Sequence, residues 1–288
     1  MSRKFLIVTA DDFGLDEAVN EAIRRAALEG ILTSASLMVA APAREGALRV
    51  AAAVPRLRVG LHVVLADGAP VLPARLIPDL VDGNGRFPEG MLRNSFGFAL
   101  SARVRAQLAA EIRAQFEAFA QTGLVLDHVN AHKHFHLHPT VLELLLRIGS
   151  EFGAFAVRVP REPLWFAKQA AGTGSAVSAA SLVPWLANMR RRIHAHGMIC
   201  NDQVFGIACS GQMDRLRLIS ILERLPGGVT EIYLHPAVAT GVPITPSMAA
   251  YRHSEELEAL LDPAVRQAQA DSQAVCGGYA DLRQLGSV

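Results

Sequence analysis

Seven short apolar or β-branched runs alternate with helix-like stretches along this chain, and no other feature constrains its fold as tightly. The runs are FLIVTA (5–10), LTSASLMVA (32–40), LRVGLHVVL (57–65), LVLDHVN (124–130), FAVRVP (155–160), QVFGI (203–207) and TEIYLHP (230–236). Between many of them lie segments with helical punctuation. DEAVNEAIRRAALEG (16–30) begins with an acidic turn and stops at Gly30, and SARVRAQLAAEIRAQFEAFAQTG (101–123) spaces its apolar residues by three and four. PTVLELLLRIGSEFG (139–153) opens on Pro and closes on Gly, and DRLRLISILERLPGG (214–228) opens on Asp and is stopped by Pro226 and two glycines. Alternating β and α segments imply a parallel sheet with helices outside it. The expectation is an α/β fold, a distorted or incomplete (β/α) barrel of about seven parallel strands. A doubly wound open sheet is the alternative, because sequence alone does not close a barrel.

No internal repeat or domain boundary is visible, so residues 1–288 read as one domain. Two stretches interrupt the alternation, at about 66–100 and 162–200, and long insertions of this kind are commonly lids or flexible segments. The second holds the chain's two tryptophans, Trp165 and Trp185, in the apolar groups Leu164–Phe166 and Leu182–Leu186, followed by Arg190, Arg191 and Arg192. It reads either as ordinary packing under a long loop or as a greasy lid with a basic edge, suited to a lipid or membrane surface.

Hydrophobic residues make up 51% of the chain, enough for a sizeable core, while 19% charged residues and a net charge of +1 argue against a nucleic-acid partner. The three cysteines form no CxxC pair and look like thiols of a reducing compartment. No apolar run reaches the roughly 18 residues of a membrane span. MSRKFLIVTADDFG starts like a signal peptide, but its short apolar run meets two aspartates. It reads as a buried strand, and the protein as cytoplasmic.

In β/α barrels the chemistry sits at the carboxyl ends of the strands. There the first run delivers Asp11 and Asp12, the third His62, the fifth Arg158 and Arg161, and the seventh His235. The fourth runs into LDHVNAHKHFHLHP (126–139), which carries His128, His132, His134, His136 and His138, five of the ten histidines. Each has a bland reading alone. Paired aspartates end strands as turns or caps, a lone His62 is a hydrogen-bonded core residue, and alternating histidines share one solvated face of an extended chain. Five strands sending Asp, His or Arg to one end of the sheet shift the balance. Imidazole and carboxylate are the usual ligands of a divalent metal that keeps a position open for water.

TADDFG, GLHVVL, DHVNAHKHFH and YLHP, in that order and spacing, resemble the YdjC-like carbohydrate deacetylases, a metal-dependent family with a β/α-barrel-like fold. The resemblance runs from Thr9 to about Pro236. NAHKHFHLHPTV, RVPREP and NDQVFGIACSGQM look like the hopanoid biosynthesis-associated branch (HpnK), held to remove acetyl from an N-acetylglucosamine attached to a bacteriohopanoid lipid. The resemblance implies Asp12, His62 and His132 as metal ligands, Asp11 as catalytic base and His235 as general acid. His128, Asn130, His134, His136, Arg158, Trp165 and Trp185 are then expected to touch substrate or to support the ligands from behind. Asn130 and Lys133 stand where members active on chitooligosaccharides have Asp and His, which weakens that substrate assignment more than the metal.

The expected cofactor is one divalent metal ion, Zn first, with Mg, Ni, Co and Mn also compatible with two His and a carboxylate. The expected partner is an acetylated amino sugar, lipid-linked, met by peripheral contact at the inner membrane face; a homodimer is also compatible with the sequence. The competing readings are a deacetylase of soluble chitooligosaccharides and a non-catalytic sugar- or lipid-binding barrel. Against the last, all five implied site residues are present.

Overall fold

The computed structural model describes residues 3–89 and 101–284, without the side chains of residues 171–176, 178 and 179. Part of the first expected insertion, residues 90–100, therefore lies outside the described residues.

The strands are β1 (Lys4–Phe13), β2 (Ser34–Leu37), β3 (Arg58–Val63), β4 (Val129–Ala131), β5 (Gln203–Phe205), β6 (Gly228–Leu234) and β7 (Val275–Cys276). Every pair is parallel, in the order β4-β3-β2-β1-β6-β5, with β7 beside the start of β1. Nine of the ten residues of β1 are buried. That is why its sequence is a near-continuous apolar run rather than an alternation.

The sheet curls on itself, and the segment 155–160 joins its two ends. Val129 N–H donates to Ala156 O (2.9 Å) and Arg158 N–H to Val129 O (3.1 Å) on one side. On the other, Val157 N–H donates to Ile199 O (3.0 Å) and Val204 N–H to Arg161 O (2.9 Å). The segment makes only isolated bridges, at Val157 and Ala156. The reason is local: Val159 exchanges both backbone bonds with the Asn201 side chain (2.7 and 2.8 Å), and Pro160 has no N–H to donate. The expected distorted (β/α) barrel of about seven parallel strands forms, as a curled half-barrel of six to seven.

Helices α1 (Glu17–Glu29), α2 (Arg44–Ala53), α3 (Ala102–Ala120), α4 (Pro139–Glu151), α5 (Leu164–Ala195), α6 (Arg215–Glu223), α7 (His253–Leu261), α8 (Pro263–Asp271) and α9 (Tyr279–Gln284) follow the strands in sequence. In α1, Asp16 caps the Ala18 N–H (2.8 Å), and Val19, Ala22, Ile23, Ala26 and Ala27 form the buried stripe. The stretch 162–200 fits the alternation after all. Residues 164–195 are one helix, the crossover between segment 155–160 and β5. Its Gly-, Ser- and Ala-rich middle and internal Pro184 hid the helical period. Phe166, Leu186, Met189 and Ile193 are buried, while Leu164, Val177, Leu182 and Val183 are exposed. In the other stretch, Ile77, Leu80 and Phe87 are buried, and buried Glu111 of α3 accepts from Val71 and Leu72 N–H (2.9 and 3.0 Å). Among the described residues no helix is long and apolar enough to cross a membrane.

Candidate active site

In a regular strand Asp11 and Asp12 would point to opposite faces. Here the register of β1 against β2 shifts between Ala10 and Phe13, and Asp12 takes a left-handed backbone, φ 63°. A bulge of this kind re-aims a side chain, and both carboxylates reach groups inside the barrel. A non-glycine residue held there costs on the order of 1–3 kcal/mol, a strain that typically marks a working site.

Asp12 Oδ1 lies 3.0 Å from His132 Nδ1 and 3.2 Å from His62 Nε2, and the two ring nitrogens are 3.4 Å apart. All three residues are buried. Bonds of about 2.0–2.2 Å from one cation to N and O ligands put those atoms roughly 3.0–3.5 Å from each other, so this triangle has the size a metal ion requires. The tautomer also fits. Asn130 Oδ1 accepts from His62 Nδ1–H at 2.6 Å, which leaves the Nε2 lone pair facing Asp12, the usual arrangement behind a metal-bound histidine. Asp12 Oδ2 is buried with no hydrogen-bond partner among the described residues. Burial pushes the His62 imidazole down, but Asp11 and Asp12 outweigh it and raise it above its ordinary value. The cluster attracts positive charge.

Arg158 crosses the barrel. Its guanidinium grips Asp11 with two bonds (2.6 and 2.9 Å), reaches Glu231 of β6 (2.8 Å), and lies 4.9 Å from the Tyr233 ring centre. Asn130 Nδ2 adds a longer bond to Asp11 Oδ1 (3.2 Å). Burial raises the Asp11 carboxyl, but Arg158 and the nearby histidines hold it below the usual carboxylate range. The clamp keeps Asp11 ionised and fixed in orientation. Replacing Arg158 with Met strands two buried carboxylates, and the expected loss of stability is about 3–5 kcal/mol in urea unfolding. A loss under about 1 kcal/mol would mean that the network repacks without its cation.

Below the clamp the barrel interior is polar. Glu231 also accepts from Thr9 Oγ1 (2.7 Å) and the Tyr279 hydroxyl (2.8 Å). His128 sits between Asp127 (2.9 Å) and Ser36 (2.8 Å), and Ser36 accepts from Asn130 (2.9 Å). His128 is thus three hydrogen bonds behind His62 and does not line the cavity. Gly60 makes room for its ring, since a Cβ there would lie 2.4 Å from it. Sequence reasoning missed Ser36, Asp127, Asn201, Glu231 and Tyr279. The one available signal was a charged residue inside the buried run TEIYL.

The histidine run does not continue as a strand. β4 ends at Ala131, and His132–Leu137 coil into a 3-10 turn with Lys133 and His134 both left-handed (φ 52° and 54°). The expected shared face of His132, His134, His136 and His138 is therefore lost. His134 lines the cavity and contacts the Tyr233 hydroxyl at 3.1 Å. His136 turns inward to donate to Arg158 O (3.0 Å), and His138 caps α4 at Thr140 N–H (3.2 Å). Neither tryptophan lines the cavity. Trp185 donates to Leu137 O (2.9 Å), and Trp165 packs beside Phe166 and Phe205 under Arg224.

Burial, aided by Arg158, drives the His136 imidazole from 6.5 down to about 3. Between those values the unfolded chain binds the extra proton, so the stability from neutral His136 is complete above 6.5 and drains away as pH falls toward 3. At pH ~5 the expected loss is about 2 kcal/mol from this group. It reads as a lower urea midpoint than at pH ~7.5, and His136→Gln should flatten the difference. An equally steep pH dependence in the variant would reassign the effect.

His235 closes the site. Its Nε2 is 3.9 Å from Asp12 Oδ2. His253 and Glu256 of α7 fix its backbone through His235 O (2.6 Å) and N–H (2.5 Å). Burial lowers its imidazole, against the pull of Asp12. Asp11, His62, His132, His134, Tyr233, His235 and Tyr251 line a cavity of about 150 Å³. At its rim Lys133 pairs with Asp67 (2.7 Å), which also accepts from Ser247. A larger groove of about 500 Å³ between α3 and α4 has no comparable chemistry.

The profile of the family described as YdjC-like protein matches residues 5–271. A carbohydrate deacetylase of Brevibacillus brevis is 32% identical over 96% of this chain and 99% of its own length. One from Geobacillus stearothermophilus is 30% identical over 98% and 99%. A crystal structure from Enterococcus faecalis V583, of a candidate cellobiose-phosphate cleavage protein, superposes with a TM-score of 0.74 at 23% identity, covering 98% of this chain and 99% of that one. At that identity it speaks for the fold alone.

Proposed function

Because the chain belongs to the YdjC-like family, we propose that it is a carbohydrate deacetylase that removes acetyl from an acetylamino sugar with the aid of one divalent metal. The observation that carries this reading is the buried triangle of Asp12, His62 and His132, 3.0–3.4 Å on a side, with the clamped Asp11 beside it in one cavity. Two imidazoles and one carboxylate, with positions left over for water, suit Zn²⁺.

A divalent cation held there supplies Lewis acidity, drawing charge from an amide carbonyl and making water more acidic. Asp11 accepts the proton of the attacking water, and Arg158 keeps its carboxylate aimed. His235 passes a proton to the departing sugar nitrogen. Burial keeps the resting ring neutral, so the proton it delivers is acquired during turnover. Water supplies that proton by way of Asp11, and the count closes without an outside acid.

The finer reading is an N-acetylglucosamine attached to a bacteriohopanoid, approached at the membrane surface. The similarity of RVPREP and NDQVFGIACSGQM to the hopanoid-associated branch supports it, as do the exposed apolar side chains of Leu164, Leu182 and Val183 on α5. The test is mass spectrometry of an N-acetylglucosaminyl hopanoid and of chitobiose after incubation with zinc-loaded protein. Acetyl loss from the hopanoid is the expected result. Loss from chitobiose alone would keep the chemistry and overturn the lipid. Loss from neither, with metal bound, would favour a binding protein.

A further inference from the structure

The reaction cavity holds about 150 Å³, less than the roughly 300–1,000 Å³ usual for a small-molecule site. An acetamido group and one edge of its sugar fill it, and the rest of the ring must lie at the mouth. Backbone strain gathers there. Among the described residues five non-glycine positions are left-handed, and four of them, Asp12, Asp67, Lys133 and His134, belong to the cavity or its rim.

Two of these strained residues meet each other. Lys133 (φ 52°) donates from Nζ to Oδ2 of Asp67 (φ 49°) at 2.7 Å, and Ser247 Oγ donates to the same oxygen. The three stand on three different loops, after β4, β3 and β6. Asp67 is held in place by Pro88 O, which accepts its N–H (3.2 Å), and by the bridge between Gly68 and the buried Phe87. The side chains of Lys133 and Asp67 are 27% and 12% exposed, so both reach the mouth. An ammonium has three donors and a carboxylate two accepting oxygens. Among the described residues Asp67 Oδ1 accepts no hydrogen bond, and Lys133 Nζ makes only the one to Oδ2. Hydrogen-bonding capacity is therefore left over beside the place where the sugar ring must lie. A partly exposed ion pair adds little stability, too little to offset two left-handed residues, and strain of this kind is kept where a site works.

We propose that Lys133 and Asp67, steadied by Ser247, are specificity-determining residues that bind the two free hydroxyls, at C3 and C4, next to the acetamido carbon of the sugar. This rests on the deacetylase reading for the placement of the acetamido group. Neighbouring hydroxyls on a pyranose stand about one hydrogen-bond length apart, which matches the spacing of the ammonium and the carboxylate. A substrate held this way presents its acetylamino sugar as a terminal unit, because a residue inside a 4-linked chain has lost the C4 hydroxyl.

The experiment compares the methyl glycoside of N-acetylglucosamine with its 3-deoxy and 4-deoxy analogues. Dissociation constants come from calorimetry on zinc-loaded Asp11→Asn protein, expected to turn over too slowly to consume the ligands, and kcat/KM comes from acetate release by the wild type. Hydrogen bonds to charged groups are worth about tenfold or more in affinity, so each deoxy analogue is expected to bind about tenfold more weakly than the parent. Lys133→Met and Asp67→Asn should each cut that difference at least about threefold for one of the two hydroxyls. Asn tolerates the left-handed backbone at 67, so the second variant keeps the loop. Analogues that bind as tightly as the parent would overturn the proposal, even if all three ligands are deacetylated. A deoxy penalty undiminished in both variants would also overturn it, by reducing the pair to a latch between loops that shows only in the urea midpoint. A Lys133-dependent penalty without acetate release from the wild type would leave the rim standing and refute the deacetylase reading instead.

Discussion

His62→Ala is expected to empty the protein of its divalent metal and to abolish acetate release. His62 supplies one corner of the triangle, and removing it leaves Asp12 and His132 as a two-ligand site in a buried cluster. The effect should exceed the roughly 10–100-fold loss of affinity that follows from disturbing a partner behind a ligand. Metal content after dialysis, measured by elemental analysis, is the readout. His132→Ala should behave the same way. Asn130→Leu, which removes only the acceptor for His62 Nδ1–H, should weaken binding without eliminating it. Stoichiometric metal in either alanine variant would remove that residue from the ligand set.

The second large effect is expected at Asp11. Asp11→Asn keeps the shape of the side chain but removes the proton acceptor, and general base catalysis is typically worth 10²–10⁴-fold in turnover. The variant should bind metal normally and release acetate about 10²–10⁴ times more slowly. Arg158 retains Glu231 as a partner at 2.8 Å, so the fold should survive, as circular dichroism can verify. Full turnover by Asp11→Asn would mean that Asp11 serves only to hold Arg158 and that another group takes the proton.

The two variants separate the roles of adjacent residues, and that separation has a backbone origin. Sequence reading found both aspartates at a strand end. It offered no means of seeing the left-handed Asp12 that turns both inward, because a bulge is set by pairing with a neighbouring strand. The strands were legible wherever both faces are buried, as in β1 and β6. β7 was not, since two residues carry no period and are held by their pairing with the start of β1. LVLDHVN was placed correctly but began too early: regular pairing starts only at Val129.

The site followed the same pattern. Residues on strand ends, such as His62 and His235, could be picked out because a polar side chain interrupts an apolar run. Arg158 was noticed but undervalued, since its importance lies in contacts with Asp11 and Glu231, 147 and 73 residues away in sequence. Tyr279 was invisible, sitting on a short C-terminal helix and reaching Glu231 through a long-range contact. The histidine run misled in the other direction. Its alternation suggested a common face, whereas two left-handed residues disperse its members among ligand triangle, cavity wall, interior and helix cap.

The most direct test of a metal-dependent deacetylase is acetate release from an N-acetylglucosaminide by the wild-type protein, first stripped by a chelator and then titrated with zinc. Stripped protein is expected to release none, with recovery that saturates near one zinc per chain. Undiminished release from protein shown to be metal-free would contradict it.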